Sequence, residues 1–158
     1  MTLHEILQIK GTEVHAIGPD AALDEVVQEL VRFNVGSLIV CEPISRGADI
    51  RMIGIITERD VLRQQAAHPK VALSEILVAS AMSSELVTAM PKDRIQHAMR
   101  LMTQHRIRHL PVVSEGQLFG VISIGDVVKA HHDQLELENH FMSSYIHGES
   151  ADVGVPPC

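Results

Sequence analysis

Aromatic residues and cysteines are both scarce in this chain of 158 residues. Phe, Tyr and Trp together make up 3% of the sequence and Trp is absent, so the core has to be aliphatic. The two cysteines, Cys41 and Cys158, form no CxxC pair and lie far apart. This usage argues against a disulfide framework and favours two free thiols in a reducing compartment.

Positive charge and long apolar runs are also lacking. The formal net charge is −7, whereas proteins that bind nucleic acid are normally basic. No apolar run approaches the ~20 residues that span a bilayer, and the N-terminus shows no cationic start followed by an apolar core. We therefore expect a cytoplasmic protein with neither nucleic acid nor a membrane as its partner.

The sequence carries no signature of catalysis or of metal binding. It has no G-x-S-x-G nucleophile elbow, no P-loop and no glycine-rich dinucleotide loop. The ten histidines include no pair that converges with a carboxylate at a recognised ligand spacing, the run His131-His132-Asp133 included. We expect neither an enzyme nor a metal site.

What the chain does contain is an internal repeat. The phrase GIITERD at 54–60 returns as GVISIGD at 120–126. Upstream, Pro19 aligns with Pro91 at an offset of 72 residues, whereas Gly54 aligns with Gly120 at an offset of 66. The first copy therefore holds six extra residues, within EPISRGADIRMI, and a loop insertion of this size costs little closure entropy.

Both copies predict the same order of elements, β-α-β-β-α. An extended segment (14–17 or 86–89) precedes a helix whose apolar residues recur at helical spacing. Two strands follow (SLIV and MIGIIT, or HLPVV and LFGVIS), and then a second helix from Val61 or Val127. One copy alone cannot bury both helices, so we expect the two copies to share one core. The apolar positions of the first helices are Leu23, Val26, Val27 and Leu30, and Ile95, Ala98, Met99 and Met102.

This order, closed in each copy by h-x-G-h-h-[ST]-x-x-D, resembles the cystathionine β-synthase (CBS) domain. Two such domains in tandem form a Bateman module, and the resemblance covers residues 2–132. It implies an α+β fold in which two β-α-β-β-α motifs pack by pseudo-two-fold symmetry. We expect motif 1 at 2–66, a linker at 67–80, motif 2 at 81–132, a C-terminal helix extension at 133–148 and a disordered tail at 149–158, with little else attached to the module.

The resemblance also implies two interdomain clefts that bind adenosine-containing ligands. It assigns ribose binding to Asp60 and Asp126, and phosphate binding to Thr57, Ser123, Arg108 and His109. AMP is the first candidate, with ADP, ATP, NAD(H) and S-adenosylmethionine as alternatives, and no further cofactor is required. The adenine would lie near the first extended segment of each copy and the turn after it. The residues there are His15, Ala16, Ile17, Thr88, Ala89 and Met90.

Elementary chemistry leaves two interpretations of the repeated motif open. Thr57-x-x-Asp60 and Ser123-x-x-Asp126 are each close to a helix capping box with Asp in place of Glu. Alternatively, the free N–H groups of a helix start bind a phosphate, and the carboxylate beside them accepts from ribose hydroxyls. Arg59 either reaches that phosphate or is a solvated surface arginine.

The stretch HRIRH at 105–109 is the densest cationic patch of an acidic chain. If Arg106 and Arg108 alternate with Ile107 on an extended segment, both point to one face, and arginine suits phosphate. Basic residues at a helix C-terminus also satisfy the helix dipole, which fits Arg106 better than Arg108. The first copy has Gly36-Ser37 in place of Arg108-His109, so the two clefts are predicted to differ.

The C-terminal stretch from Leu135 to Ile146 supplies apolar groups to a long helix, and we expect a homodimer contact there. We predict a non-catalytic regulatory module that binds an adenosyl nucleotide and signals to an unknown effector protein. The alternative is a protein-interaction scaffold that binds no nucleotide, in which the Ser/Thr-x-x-Asp units serve only as helix caps.

Overall fold

The computed structural model describes the backbone of residues 1–43 and 50–151. Part of the six-residue insertion and residues 152–158 of the predicted disordered tail therefore lie outside the described residues. The elements in chain order are α1 (Leu3–Lys10), β1 (Ala16–Ile17), α2 (Leu23–Phe33), β2 (Ser37–Pro43), β3 (Ile50–Thr57), α3 (Glu58–Ala67), a 3-10 turn (Leu73–Glu75), α4 (Val78–Ala81), α5 (Ile95–His105), β4 (His109–Ser114), β5 (Gln117–Ser123) and α6 (Ile124–Ala151).

The structure confirms the α+β class and the repeated order of elements. In the first copy, β1 pairs in parallel with β2, which pairs antiparallel with β3. In the second copy, β4 and β5 form an antiparallel pair. The first strand of that copy is reduced to a single parallel bridge between Ala89 and Val112, although the Ala89 N–H still donates to the Pro111 carbonyl at 3.0 Å.

The second helix of each copy begins three residues earlier than predicted, at Glu58 rather than Val61 and at Ile124 rather than Val127. Side-chain caps explain the earlier start, because Thr57 and Ser123 accept hydrogen bonds from the N–H groups of Asp60 and Asp126. A cap that satisfies a free N–H lets a helix start before its first apolar residue.

The described residues form two cores, one for each copy, where a single shared core was expected. The segment that precedes each copy packs into the core of the other copy, which joins the two. The core of the second copy includes three residues of α1, a helix that the repeat did not predict. The core of the first copy includes Ile76 and Val78, which lie in the stretch 67–80 predicted as a linker. The α1 residues in the second core are Leu3, Ile6 and Leu7, all at most 5% exposed.

The glycine of each repeated motif gives room to this crossed packing. A Cβ placed on Gly54 would lie 2.7 Å from the Met82 sulfur and 2.9 Å from the Ser83 carbonyl oxygen. A Cβ on Gly120 would lie 2.7 Å from a methyl carbon of Leu7. Both distances are below van der Waals contact, so the motif glycine is the position at which the incoming segment crosses the strand.

The last helix, α6, runs for 28 residues and contains the predicted extension at 133–148. The apolar side chains that the sequence placed here are 46–68% exposed, and they are Leu135, Leu137, Phe141, Met142, Tyr145 and Ile146. Among the described residues, none of the helices combines the length and the apolarity that a membrane crossing needs.

Candidate functional site

Two clefts open between the copies, and they are built from matching parts of the repeat. Each takes the hydroxyl-x-x-Asp motif of one copy and the strand entry of the other. The first cleft has a volume of about 500 Å³ and combines Thr57 and Asp60 with residues 105–109. The second, of about 400 Å³, combines Ser123 and Asp126 with residues 34–37.

Within each copy, strand pairing places the hydroxyl residue of the motif beside the start of the neighbouring strand. Thr57 ends β3 opposite Ser37, and Ser123 ends β5 opposite His109. The first turn of α3 therefore begins beside the start of β2, where the Glu58 N–H donates to the Gly36 carbonyl at 3.2 Å. The same contact recurs in the second copy, where the Ile124 N–H donates to the Arg108 carbonyl at 2.8 Å.

The capping interpretation of the motifs is confirmed in both copies. Asp60 Oδ2 accepts from the Thr57 N–H at 2.9 Å and from its hydroxyl at 3.1 Å. Asp126 Oδ2 accepts from the Ser123 N–H at 2.8 Å. Capping does not withdraw these groups from the clefts, since all four residues line them. Their assignment to ribose and phosphate stays a prediction.

Four arginines line the first cleft, namely Arg59, Arg63, Arg106 and Arg108. Within the described part of the chain, none of the four pairs with a carboxylate within 4.0 Å, unlike Arg32 and Arg51. Guanidinium groups repel one another at close range, and the field of several in one cleft attracts an anion. This convergence fits the phosphate role predicted for Arg59 and Arg108.

Arg106 adopts a backbone conformation that arginine rarely takes. It is the C-cap of α5 with φ 54° and ψ 43°, in the left-handed region, where a Cβ costs about 1–2 kcal/mol. The aligned residue of the first copy is Asn34, which has the same conformation and tolerates it better. Arg106 is thus a helix cap and not part of an extended segment, yet both it and Arg108 reach the first cleft.

The second cleft has a different charge pattern. Its strand entry carries Asn34, Gly36 and Ser37, and no arginine is among its lining residues in the described chain. Its ammonium group comes from Lys10, whose Nζ lies 2.6 Å from Asp126 Oδ2 and 2.7 Å from the Val121 carbonyl oxygen. Burial raises the pKa of Asp126, but the bonds from Lys10 and Ser123 outweigh it and hold that pKa below its usual value.

His109 is the one residue among the described lining residues that both clefts share. Its imidazole lies over Gly36, where a Cβ would be 3.1 Å from the ring. Burial lowers the pKa of His109, opposed by the nearby Glu58 carboxylate. The shift favours the neutral imidazole in the free cleft, which offers one N–H donor.

The residues predicted for the adenine are only partly at the clefts. His15 lines the second cleft, and its ring stacks on Phe33 with centroids 3.9 Å apart. The other five line neither cleft. Ala89 is 3% exposed in the core of the second copy, where it pairs with Val112. The apolar wall lies about two residues earlier than predicted, at Val14 and at Leu86–Val87. The five residues are Ala16, Ile17, Thr88, Ala89 and Met90.

Several lining residues were missed by sequence reasoning. Lys10 ends α1, a helix that the repeat did not predict. It reaches the second cleft because α1 packs against the second copy, so no local sequence pattern indicates it. Arg63 lies one helical turn after Arg59 and could have been found from that spacing.

A group of possible metal donors, His132, Asp133 and Glu136, lies on α6 outside the lining of both clefts, but all three are exposed and one histidine alone is present.

Comparison with known proteins agrees with this architecture. The mitochondrial CBS domain-containing protein CBSX3 of Arabidopsis thaliana is 34% identical over 155 residues, which is 93% of this chain and 72% of the relative. The crystal structure of a CBS-domain containing protein from Agrobacterium tumefaciens matches with a TM-score of 0.76 and 35% identity, covering 82% of this chain and 92% of that one. A protein from Burkholderia ambifaria, described as a putative signal-transduction protein with CBS domains, matches with a TM-score of 0.72 and 29% identity, covering 82% and 93%.

The family model of the CBS domain matches this sequence twice, at residues 6–67 and 74–133. The second match begins before the predicted boundary at residue 81 and takes in the segment whose Ile76 and Val78 pack in the first core. With two matched units, two related clefts and solved relatives of the same architecture, the chain belongs to the CBS domain family and carries a tandem pair of these domains.

Proposed function

We propose that this protein is a regulatory module that binds an adenosine nucleotide in the first cleft and signals to a partner protein through a change of conformation. The observation that carries the proposal is the convergence in one cleft of the Asp60 carboxylate with four arginines, none of which forms an ion pair with a carboxylate among the described residues. A ligand that fits must offer an anion to the guanidinium groups and hydroxyl donors to the carboxylate. A ribose phosphate offers both on one small molecule.

The remaining walls of the first cleft suit a purine base. Leu86, Val87, Ile107 and Pro111 supply apolar surface, and small-molecule sites are mostly apolar with a few placed polar groups. A volume of about 500 Å³ lies in the range of 300–1,000 Å³ typical of ligand sites. AMP is the first candidate, and ADP, ATP, NAD(H) and S-adenosylmethionine share its adenosyl portion.

The position of the first cleft between the two copies supports a signalling role. Its two halves come from different copies, so a ligand that bridges Asp60 and Arg108 favours one relative placement of the copies and shifts their population toward it. The related protein from Burkholderia ambifaria is described as a signal-transduction protein, which supports the same role here. No catalytic group is needed for this function.

Asp60→Asn is expected to weaken AMP binding at least tenfold while the fold survives. The asparagine side-chain oxygen still accepts from the Thr57 N–H and keeps the cap, but the loss of the charged acceptor costs about 1.5–3 kcal/mol of hydrogen bonding to the ribose. Titration calorimetry on protein freed of copurified ligand measures the effect. Thermal unfolding gives a second readout, since AMP at 100 times its Kd adds about 2.7 kcal/mol.

Asp20→Asn is the matched control, because Asp20 is exposed and lines neither cleft. It should leave AMP affinity unchanged. If no adenosyl compound binds the wild-type protein, the scaffold alternative replaces this proposal. If AMP binds and both variants bind it equally well, the nucleotide lies elsewhere on the protein.

We further propose that α6 mediates a homodimer. Phe141, Met142 and Tyr145 are 63–68% exposed on its second half, and such an apolar set on a soluble surface marks an interaction site. The mass measured by light scattering should be twice that of one 17.4 kDa chain and should fall toward it in the double variant Phe141→Lys/Tyr145→Lys. A single-chain mass for the unmodified protein would contradict the proposal.

A further inference from the structure

The ammonium group of Lys10 contacts the Asp126 carboxylate in the second cleft. Its Nζ donates to Asp126 Oδ2 at 2.6 Å and to the Val121 carbonyl at 2.7 Å. Asp126 Oδ2 already accepts from the Ser123 N–H, so Lys10 and the helix cap share one oxygen. The lysine side chain is 37% exposed and the aspartate 23%, which places the pair at the mouth of the cleft.

The position of Lys10 is fixed by the crossed packing of α1. Leu3, Ile6 and Leu7 are buried in the second copy, and Leu7 lies over Gly120. Lys10 follows Leu7 by three residues, so it projects from the same side of the helix. The helix thus holds the lysine next to the end of β5 and the first turn of α6.

The first cleft has no counterpart of this contact. Leu7 lies over Gly120 as Met82 lies over Gly54, so the crossing segments align at an offset of 75 and Glu85, which lines the first cleft, is the counterpart of Lys10. Among the described residues no cation lies within 4.0 Å of the Asp60 carboxylate. Ile55, which aligns with Val121, has its carbonyl satisfied by the backbone N–H of Ser83 at 2.9 Å. The Lys10 ammonium group therefore satisfies the Val121 carbonyl, just as the Ser83 N–H satisfies the aligned Ile55 carbonyl.

We propose that Lys10 is an internal competitor for the ribose at Asp126 and determines which cleft takes nucleotide. The inference rests on the proposed function. A ribose whose two hydroxyls bind both oxygens of Asp126 has to displace the ammonium group from Oδ2, and among the described lining residues of the second cleft no arginine compensates for that loss. The first cleft consequently fills at a lower nucleotide concentration than the second.

The contact also connects the second cleft to the rest of the fold. Lys10 is the last residue of α1, and α1 packs against both β5 and α6. A nucleoside that displaces the lysine from Asp126 releases that end of α1 from β5.

Adenosine is the sharpest probe, because it carries the ribose without a phosphate that a lysine could bind. With Asp60→Asn in the background to weaken the first cleft, Lys10→Met is expected to raise adenosine affinity about twofold to fivefold. This range corresponds to the upper end of what a partly exposed ion pair contributes. Methionine keeps most of the aliphatic stem, and calorimetry measures the affinity.

Lys70→Met in the same background is the matched control, because Lys70 is exposed and lines neither cleft; it should leave adenosine affinity unchanged. Unchanged adenosine binding together with weaker AMP binding in Lys10→Met would overturn the inference and make Lys10 a phosphate contact. Equal affinity of both clefts in the wild-type protein would also overturn it, while leaving the proposed function intact. If neither AMP nor adenosine binds the wild-type protein, both proposals fail.

Discussion

Replacing Leu3 with alanine is expected to lower the free energy of unfolding by about 2–5 kcal/mol, the cost of truncating a fully buried leucine. Leu3 is 0% exposed and lies in the core of the second copy, although it is separated from that copy in sequence by the whole first copy. The loss has two parts, the apolar surface returned to water and the cavity that remains between α1 and its neighbours. Urea unfolding measures it as a lower midpoint with an unchanged slope.

Ile9→Ala is the matched control on the same helix. Ile9 is 77% exposed, so its truncation should change stability by no more than about 0.5 kcal/mol, and alanine is the better helix former. Comparing the two variants separates the packing of α1 from its helix propensity. Equal and small effects would show that α1 is not anchored in the second copy.

The region in which amide protection is lost gives a second test of crossed packing. In hydrogen exchange, Leu3→Ala should reduce amide protection in β5 and α5, whose Ile122 and Ile95 share its core, more than in β2. A truncation in the other crossing segment, Val78→Ala, should do the reverse, because Val78 is 0% exposed in the first core. Protection lost equally in both copies after either change would contradict the crossed arrangement.

Local patterns of the sequence were sufficient for the repeat, its helices and its caps. The spacing of the apolar residues in α2 predicted a buried helix face, and Leu23, Val26 and Leu30 are buried, but Val27, predicted with them, is 36% exposed. The Thr57-x-x-Asp60 spacing predicted a capping box, which forms. These features depend on residues within one or two helical turns of each other, so periodicity and capping chemistry are enough to find them.

Contacts between the copies were beyond such reasoning. Nothing within ten residues of Lys10 indicates Asp126, which lies 116 residues later, and the two meet only because α1 crosses to the second copy. The segments predicted for the adenine are also only partly at the clefts, whose described lining includes Val14 and Leu86–Val87 just before those segments. Ala89 pairs with Val112 and is buried in the core of the second copy, a placement that the sequence pattern alone does not fix.

Arg108→Met is expected to weaken AMP binding about tenfold to a hundredfold while leaving adenosine binding unchanged. A hydrogen bond to a charged group contributes about 1.5–3 kcal/mol, and Arg108 offers two donors in the planar geometry that suits phosphate. Its backbone carbonyl accepts from the Ile124 N–H, and that bond survives any side-chain change. The loss should therefore appear in affinity and not in the free energy of unfolding.

Comparing two ligands on two proteins isolates the phosphate contact. The ratio of AMP to adenosine affinity should fall in Arg108→Met and stay constant in Arg100→Met, since Arg100 is exposed on α5 and does not line the cleft. Equal weakening of both ligands would mean that Arg108 shapes the cleft without touching phosphate. A constant ratio would mean that Arg59, Arg63 or Arg106 binds the phosphate instead of Arg108. In that case these three arginines are the next residues to change, because with Arg108 they are the arginines that line the first cleft in the described chain.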